Sequence, residues 1–349
     1  MKNILITGGS GFIGTNFIKY AYNRYNDWHI VNLDALTYAG NPMNHMELAK
    51  DLRYTFIHGD ICDSSLLKKL FDKFQFNGVF HFAAESHVDR SISDPEIFLK
   101  TNVMGTFKLL QASLDYMEGS ETADFKFIHV STDEVYGSLG AGDAAFTEKT
   151  GYDPSSPYSA SKASSDHFAK AFFTTFGLPV VVTNCSNNYG PYQFPEKLIP
   201  LVILNILNKK SLPVYGKGEN VRDWLYVEDH CNALEEVFEK GVCGETYNIG
   251  GGEEKKNIEV VQKICDLVDE KTGAVKSSRS LITFVKDRPG HDLRYAINCR
   301  KIEQEIGFTA KHSFEQALSE TIDWYLEHMD WVKAVQTGEY QKWINKQYS

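Results

Sequence analysis

A doubly wound α/β fold, with a parallel sheet in the first half of the chain and a smaller mixed α/β region toward the C-terminus, is what the sequence predicts. Three observations carry the prediction. Short β-rich apolar runs recur at 4–7, 30–34, 54–58, 79–84, 125–131 and 180–184, each apolar enough to be buried on both faces. Helical spacing fills the gaps at 12–25, 64–74, 95–116 and 159–176, and strand alternating with helix argues for right-handed crossovers in one parallel sheet. After about residue 190 the rhythm breaks into turn-rich stretches such as Tyr189-Gly190-Pro191 and Gly250-Gly251-Gly252, with helices expected at 197–209, 227–240 and 258–270 between them.

Composition narrows the function classes. The 349 residues are 42% hydrophobic and 23% charged, ordinary for a folded chain with a sizeable core. With Lys and Arg at 36 against Asp and Glu at 46, the net charge of −10 repels polyanions, so no nucleic-acid partner is expected and any phosphate must be bound locally. Six cysteines (Cys62, Cys185, Cys231, Cys243, Cys265, Cys299) show neither a Cys-x-x-Cys pair nor zinc spacing, which reads as reduced thiols and no metal site. The opening Met1-Lys2-Asn3-Ile4-Leu5-Ile6-Thr7-Gly8 leaves no room for a signal peptide, and no apolar run reaches eighteen residues; a cytoplasmic location with no membrane partner is the expectation.

Gly8-Gly9-Ser10-Gly11-Phe12-Ile13-Gly14 follows the first strand and opens the first helix. Glycines there let the backbone turn tightly and approach a pyrophosphate that faces the helix amides, so Gly8, Gly11, Phe12, Ile13 and Gly14 are candidate dinucleotide contacts and the fold is Rossmann-type. Asp34 ends the second strand twenty positions past Gly14, where a carboxylate accepts from ribose hydroxyls and repels a 2′-phosphate; NAD is therefore favoured over NADP. Asp60, beside Ile61 after the third strand, either closes the adenine side or caps the helix from Ser64. Residues 1–190 then form the NAD-binding domain and 191–349 mainly a substrate region. Segments around 221–250 return to the first domain, Thr246-Tyr247-Asn248-Ile249 rejoining its sheet.

Tyr158-Ser159-Ala160-Ser161-Lys162 follows Pro157, which can start a helix after Ser155 or Ser156 and put Tyr158 and Lys162 on one face. An ammonium and a nicotinamide cation both stabilise phenolate, so this pairing is expected to lower the phenol's pKa. Thr132, at the carboxyl end of a parallel strand, sits where such sheets bind ligands and can hold the oxygen that Tyr158 deprotonates. Asp133 and Glu134 follow at once. Either they belong to a solvated loop or helix cap, or they couple in the site, one protonated as acid and the other acting as base.

The glycine turn with Tyr158 and Lys162 resembles the extended short-chain dehydrogenase/reductase superfamily. Asp34-Ala35-Leu36-Thr37-Tyr38-Ala39-Gly40, His87-Val88-Asp89-Arg90-Ser91, Thr132-Asp133-Glu134-Val135-Tyr136-Gly137, Asn187-Asn188-Tyr189-Gly190-Pro191, Arg222-Asp223-Trp224 and Asp287-Arg288-Pro289-Gly290-His291-Asp292 are similar to the dTDP-glucose 4,6-dehydratase family. The resemblance runs along almost the whole chain, and its one small departure is Gly151, a loop position where relatives often carry proline.

What it implies is oxidation at C4 of dTDP-glucose, loss of water across C5 and C6, and hydride return to C6 with a tightly held NAD. Tyr158, Lys162 and Thr132 would serve the first step, Glu134 as base and Asp133 as acid the elimination. By the same resemblance Phe82, Ala83, Ala84 and Thr101, with Tyr158 and Lys162, flank the cofactor. Asn187, Lys197, Leu198, Arg222, Asn257, Arg288 and His291 hold the nucleotide diphosphate, and Pro213 and Tyr215 shape the base pocket. For the charged members of that set a surface ion pair is the alternative. Ser86 and His87 either touch the sugar or stabilise their loop. Relatives pair helices corresponding to 99–116 and 159–176 across a two-fold axis, which implies a homodimer, and the product would feed deoxysugar synthesis such as that of rhamnose. A nucleotide-sugar 4-epimerase, a dehydratase of another nucleotide sugar, and a non-catalytic NAD or nucleotide-sugar sensor are the rival readings.

Overall fold

A computed structural model describes residues 1–119, 124–287 and 290–338. In chain order its strands are β1 (Lys2–Thr7), β2 (Trp28–Asp34), β3 (Tyr54–His58), β4 (Gly78–His81), β5 (Lys126–Thr132), β6 (Val180–Cys185), β7 (Asn187–Tyr189), β8 (Leu212–Tyr215), β9 (Val221–Tyr226), β10 (Thr246–Ile249), β11 (Glu254–Lys256) and β12 (Ile282–Val285). Seven of them make the central sheet in the order β10-β6-β5-β4-β1-β2-β3, parallel at every pairing. This is a Rossmann-type sheet with one strand added at its β6 edge.

Period-two alternation decides where each side chain goes. Ile4 and Ile6 enter one core with Phe17, Ile18 and Leu234, while Leu5 enters the opposite core with Leu67, Phe71 and Leu109. Helices Phe12–Arg24 and Val227–Lys240 cover the first face; Ser64–Phe74, Thr106–Glu118 and Pro157–Phe176 cover the second. A separate apolar cluster joins helices Leu198–Leu207, Asn257–Thr272 and Phe314–Glu327 to Tyr189, Trp224 and Tyr226. Beside it lie a three-stranded sheet β11-β9-β7 and the parallel pair β12-β8.

Several expectations change. The run 79–84 is strand only to His81, because the chain leaves β1 there: Phe82 N still donates to Thr7 O at 3.0 Å, and the next residues turn toward the ligand edge. The helix expected over 95–116 is three pieces, Pro95–Phe98, a wider π-helical stretch Leu99–Gly105, and Thr106–Glu118. Within the wide turn Asn102 faces inward, accepting from Glu85 N at 2.8 Å and donating to Glu85 O at 3.0 Å and Ser161 Oγ at 2.8 Å. Of the 221–250 segment, β10 pairs with β6 in the central sheet, whereas β9 joins the small sheet. In the C-terminal aromatic group, Trp324 and Trp331 pack on Tyr192 and Trp331 Nε1 donates to Asn44 at 2.8 Å. Tyr340 and Trp343 lie outside the described residues. All six cysteines are free thiols.

Phe80 is fully buried, with its ring 4.3 Å from Phe17 and 5.0 Å from Phe238 between centroids. Its truncation in Phe80→Ala should lower the unfolding free energy by about 3–5 kcal/mol in denaturant titration; a loss below about 1 kcal/mol would show that this face of the sheet is not a packed core.

Candidate active site

Where β1 ends, Gly8 takes φ +70°, and a Cβ on it would lie 2.6 Å from Ala83 N; a Cβ on Gly14 would lie 2.3 Å from Gly8 O. Only glycine fits at either place. Gly11 caps helix Phe12–Arg24 without any side-chain hydrogen bond, leaving the first amides to face an anion. Asp34 is buried, accepting from Ser10 N at 2.9 Å and Leu36 N at 2.8 Å, one bond per oxygen, so each oxygen retains a lone pair for a ribose hydroxyl. Burial raises its pKa, and those two amides oppose the rise. This turn fits an NAD pyrophosphate and ribose.

The helix-cap alternative for Asp60 is not what the chain uses. Asp63 caps Ser64–Phe74, accepting from Ser65 N and Leu66 N, while Asp60 accepts from Cys62 N at 2.8 Å and lines the cavity with Ile61.

A cavity of about 360 Å³ lies along the carboxyl ends of β1, β4, β5 and β6. Gly8, Gly11, Phe12, Ile13, Gly14 and Asp34 line one end, and Phe82, Ala83, Ala84 and Thr101 line its flank. Ser86, Thr132, Glu134, Tyr158, Lys162, Asn187 and Lys197 complete the walls reached by sequence reasoning. Glu85, Gln193, Glu196, Tyr38 and Cys185 also line it and were not singled out as site residues.

Thr132 caps a single 3-10 turn, Asp133–Tyr136, accepting from Glu134 N at 3.3 Å; the strand end and turn direct Glu134 toward the cavity. Asp133 sits one layer behind, 1% exposed, with Oδ1 accepting from the Thr132 hydroxyl at 3.4 Å and Oδ2 buried without a partner among the described residues. Burial, then the charges of Glu134 and Asp223, push its carboxyl well above the usual range, against the pull of Arg222. Burial thus favours its protonated form.

Ser156 and Ser159 form a reciprocal cap for helix Pro157–Phe176, which sets Tyr158 and Lys162 one turn apart. Lys162 Nζ donates to Val130 O at 2.8 Å. In the protein alone, burial first, then the charge of Glu134, push the Tyr158 phenol well above 10, while a hydrogen bond with Thr132 opposes; the expected lowering depends on a nicotinamide cation beside it. A phenol sealed beside a carboxylate stays protonated unless a cation enters next to it.

Arg222, Asn257, His291, Pro213, Tyr215 and Leu198, also expected at the nucleotide, do not line this cavity. Arg222 is buried and donates to Asp292 O at 3.0 Å and Val221 O at 2.7 Å, with its guanidinium 4.3 Å over the Tyr295 ring. Asn257 opens its helix with Oδ1 buried and without a partner among the described residues, and its N donates to Asn220 O at 2.9 Å. His291 pairs with Asp287 at 2.6 Å and stands edge-on to Tyr215, whose hydroxyl reaches Asp89 at 3.5 Å. Pro213 is exposed beside Tyr215 on β8, and Leu198 begins helix Leu198–Leu207 against the second core. Lys197 Nζ donates to Ser86 O at 3.2 Å, and His87 caps helix Val88–Ser93 by accepting from Arg90 N. Arg288 lies outside the described residues.

The family model described as GDP-mannose 4,6 dehydratase matches residues 5–321. A dTDP-glucose 4,6-dehydratase of Shigella flexneri is 53% identical over 356 residues, which cover 99% of this chain and 98% of that one. The chain belongs to the dTDP-glucose 4,6-dehydratase family. A dTDP-glucose 4,6-dehydratase of Bacillus anthracis solved in complex with NAD superposes at a TM-score of 0.86 with 46% identity, over 96% of this chain and 100% of its own. One from Streptomyces venezuelae with NAD and TYD bound gives 0.87 and 44%, over 95% and 99% of the two chains. This dehydratase-family cleft keeps the glycine turn and the strand-end groups on one continuous wall.

Adding a methyl group in Gly14→Ala drives Cβ into Gly8 O, so NAD affinity should fall at least about tenfold while far-UV circular dichroism is retained. An unchanged Kd by fluorescence titration would contradict the assignment of this turn.

Proposed function

We propose that the chain converts dTDP-glucose to dTDP-4-keto-6-deoxyglucose and water, with NAD as its cofactor. The observation that carries this is the shared wall: Thr132, Glu134 and Tyr158 line the cavity that begins at the dinucleotide turn, with Asp133, its carboxyl pushed up by burial, directly behind Thr132. Relatives at 52–53% identity over nearly the whole chain support the same reaction.

NAD, when bound, supplies the acceptor and later the donor of one hydride. Its nicotinamide charge, added to the Lys162 ammonium, offsets the burial that holds the Tyr158 phenol protonated. Tyr158 takes the O4 proton while Thr132 orients O4. The C4 ketone acidifies the C5 hydrogen; Glu134 removes it, and Asp133 gives its proton to the departing C6 hydroxyl, which leaves as water. Reaching C6 would take a rotation of the Asp133 side chain, whose Oδ2 has no partner among the described residues. Glu134 then returns a proton to C5. At the outer end, Arg222, Asn257, Arg288 and His291 with Lys197, Leu198 and Asn187 receive the diphosphate, and Pro213 and Tyr215 receive the base; guanidinium forks suit such an anion.

The wider assignments follow. No described helix is long and apolar enough to cross a membrane, and cytoplasmic work on a small nucleotide sugar, in deoxysugar supply such as that of rhamnose, fits the acidic surface. Leu99, Met104 and Phe168 stand exposed along the helical segments beside the active site, which supports a two-fold homodimer through the helical segments 99–116 and 159–176. A domain boundary near residue 190 accords with the separate apolar cluster beyond it.

Purified protein given dTDP-glucose in heavy water, without added cofactor, should yield the 4-keto-6-deoxy product with deuterium at C5; recovery of dTDP-galactose would mark an epimerase instead. For Glu134→Gln we expect turnover at least about 100-fold slower with substrate affinity retained, and unchanged turnover would remove Glu134 from the mechanism. Tyr158→Phe should block oxidation altogether in the same assay.

A further inference from the structure

We propose that Asp166 is a positioning residue for the Tyr158 and Lys162 pair, clamping the ends of two strands to their helix and supplying the buried countercharge of Lys162. The inference rests on the proposed roles of Tyr158 and Lys162. Tyr158, Lys162 and Asp166 follow one another at four-residue intervals along helix Pro157–Phe176 and so share a face.

Asp166 is wholly buried and meets four donors: Ser131 Oγ at 2.9 Å, Tyr152 OH at 3.0 Å, His129 Nε2 at 3.0 Å and Asn184 Nδ2 at 3.4 Å. His129 and Ser131 bracket Val130 on β5, and Val130 O is the acceptor of Lys162 Nζ. Asn184 on β6 also donates to Thr132 O at 3.1 Å. One carboxylate thus fixes the strand segment that carries Thr132 and the anchor of Lys162, together with the helix that carries Tyr158. His129 Nδ1 is buried without a partner among the described residues, which assigns the proton to Nε2, where Asp166 accepts it.

Besides Glu134, whose charge faces Tyr158, the titratable groups around this pair are shifted toward their neutral forms. His129 and His81, whose rings lie 5.4 Å apart, are held unprotonated by burial, and His81 is engaged by Thr7 Oγ1 and Thr106 Oγ1. Burial pushes the Cys185 thiol on β6 up to about 12. Tyr152, Tyr136 and Tyr158 are pushed up from the usual phenol range, also chiefly by burial. Asp166, held below the usual carboxylate range by His129, Lys162 and Ser131 against burial, is the negative charge that acts on Lys162. Without it Lys162 is an unpaired buried cation and gives up its proton more readily.

Asp166→Asn keeps the shape and removes the charge. With wild-type enzyme turning over dTDP-glucose in parallel, the limb of kcat/KM that rises with pH should move upward by about one pH unit or more, and kcat at neutral pH should fall about tenfold or more. A profile that superimposes on that of wild type, whatever the melting temperature, overturns the inference. Failure of wild type to turn over would strike the proposed function instead. Should Asp166→Asn not fold, Ser131→Ala removes one anchor and leaves the charge: kcat should fall severalfold at unchanged KM with no shift of the limb, and a wild-type kcat overturns the inference.

Discussion

Between β1 and β4 the winding of the sheet reverses, and the chains leaving these two strands diverge toward opposite faces. Everything in the site depends on the gap this opens. Gly8 and Ala83 approach so closely across it that no side chain fits at Gly8, which brings backbone amides to the surface a pyrophosphate needs. Parallel pairing then delivers Thr132 from β5 and Cys185 from β6 to the same edge. The second region closes the edge from above with Gln193, Phe194, Glu196 and Lys197.

Inside that gap, burial rather than ion pairing sets the protonation states. Asp133 and Tyr158 are both pushed up, so burial favours their protonated forms beside a half-buried Glu134. A site that must move protons off O4 and C5 and onto a leaving hydroxyl needs its acid loaded and its phenol switchable. The low dielectric that keeps Tyr158 protonated also magnifies the effect of any cation brought against it. In the proposed mechanism chemistry is thereby tied to a filled cofactor site, beside which Lys162 is anchored on the Val130 carbonyl.

Much of this was legible in the sequence because the constraints are local. Gly8 and Gly14 are demanded by a turn a few residues long, Asp34 by a strand end, and Tyr158 with Lys162 by helical spacing. Burial on both faces marked the six leading strands, with ends adjusted by a residue or two except at β4, where the switch point cuts the strand short. What escaped depends on contacts across space. Asp60 and Asp63 are the same residue type three positions apart, and only geometry shows that the second caps the helix. Asn102 widens a helix in order to hold Glu85, a partner 17 positions away. The direction of the Tyr158 shift depends on how deeply the ring is enclosed, which spacing does not encode. Arg222 was expected at the diphosphate, but spacing does not show that Nη1 and Nη2 also donate to main-chain carbonyls and that its plane lies over Tyr295. For Glu85, Gln193 and Glu196 no local signal exists, since they become neighbours through loops of different regions.

The central claim is that one enclosed cleft completes every step on a single sugar before releasing it. Its most direct test is a crossover experiment: substrate carrying deuterium at C4 and a heavy-carbon label is mixed with unlabelled substrate, and the products are resolved by mass spectrometry. The account predicts that the deuterium reappears at C6 only in molecules that also carry heavy carbon. Deuterium scrambled into the unlabelled carbon skeleton, or lost to water, would contradict it.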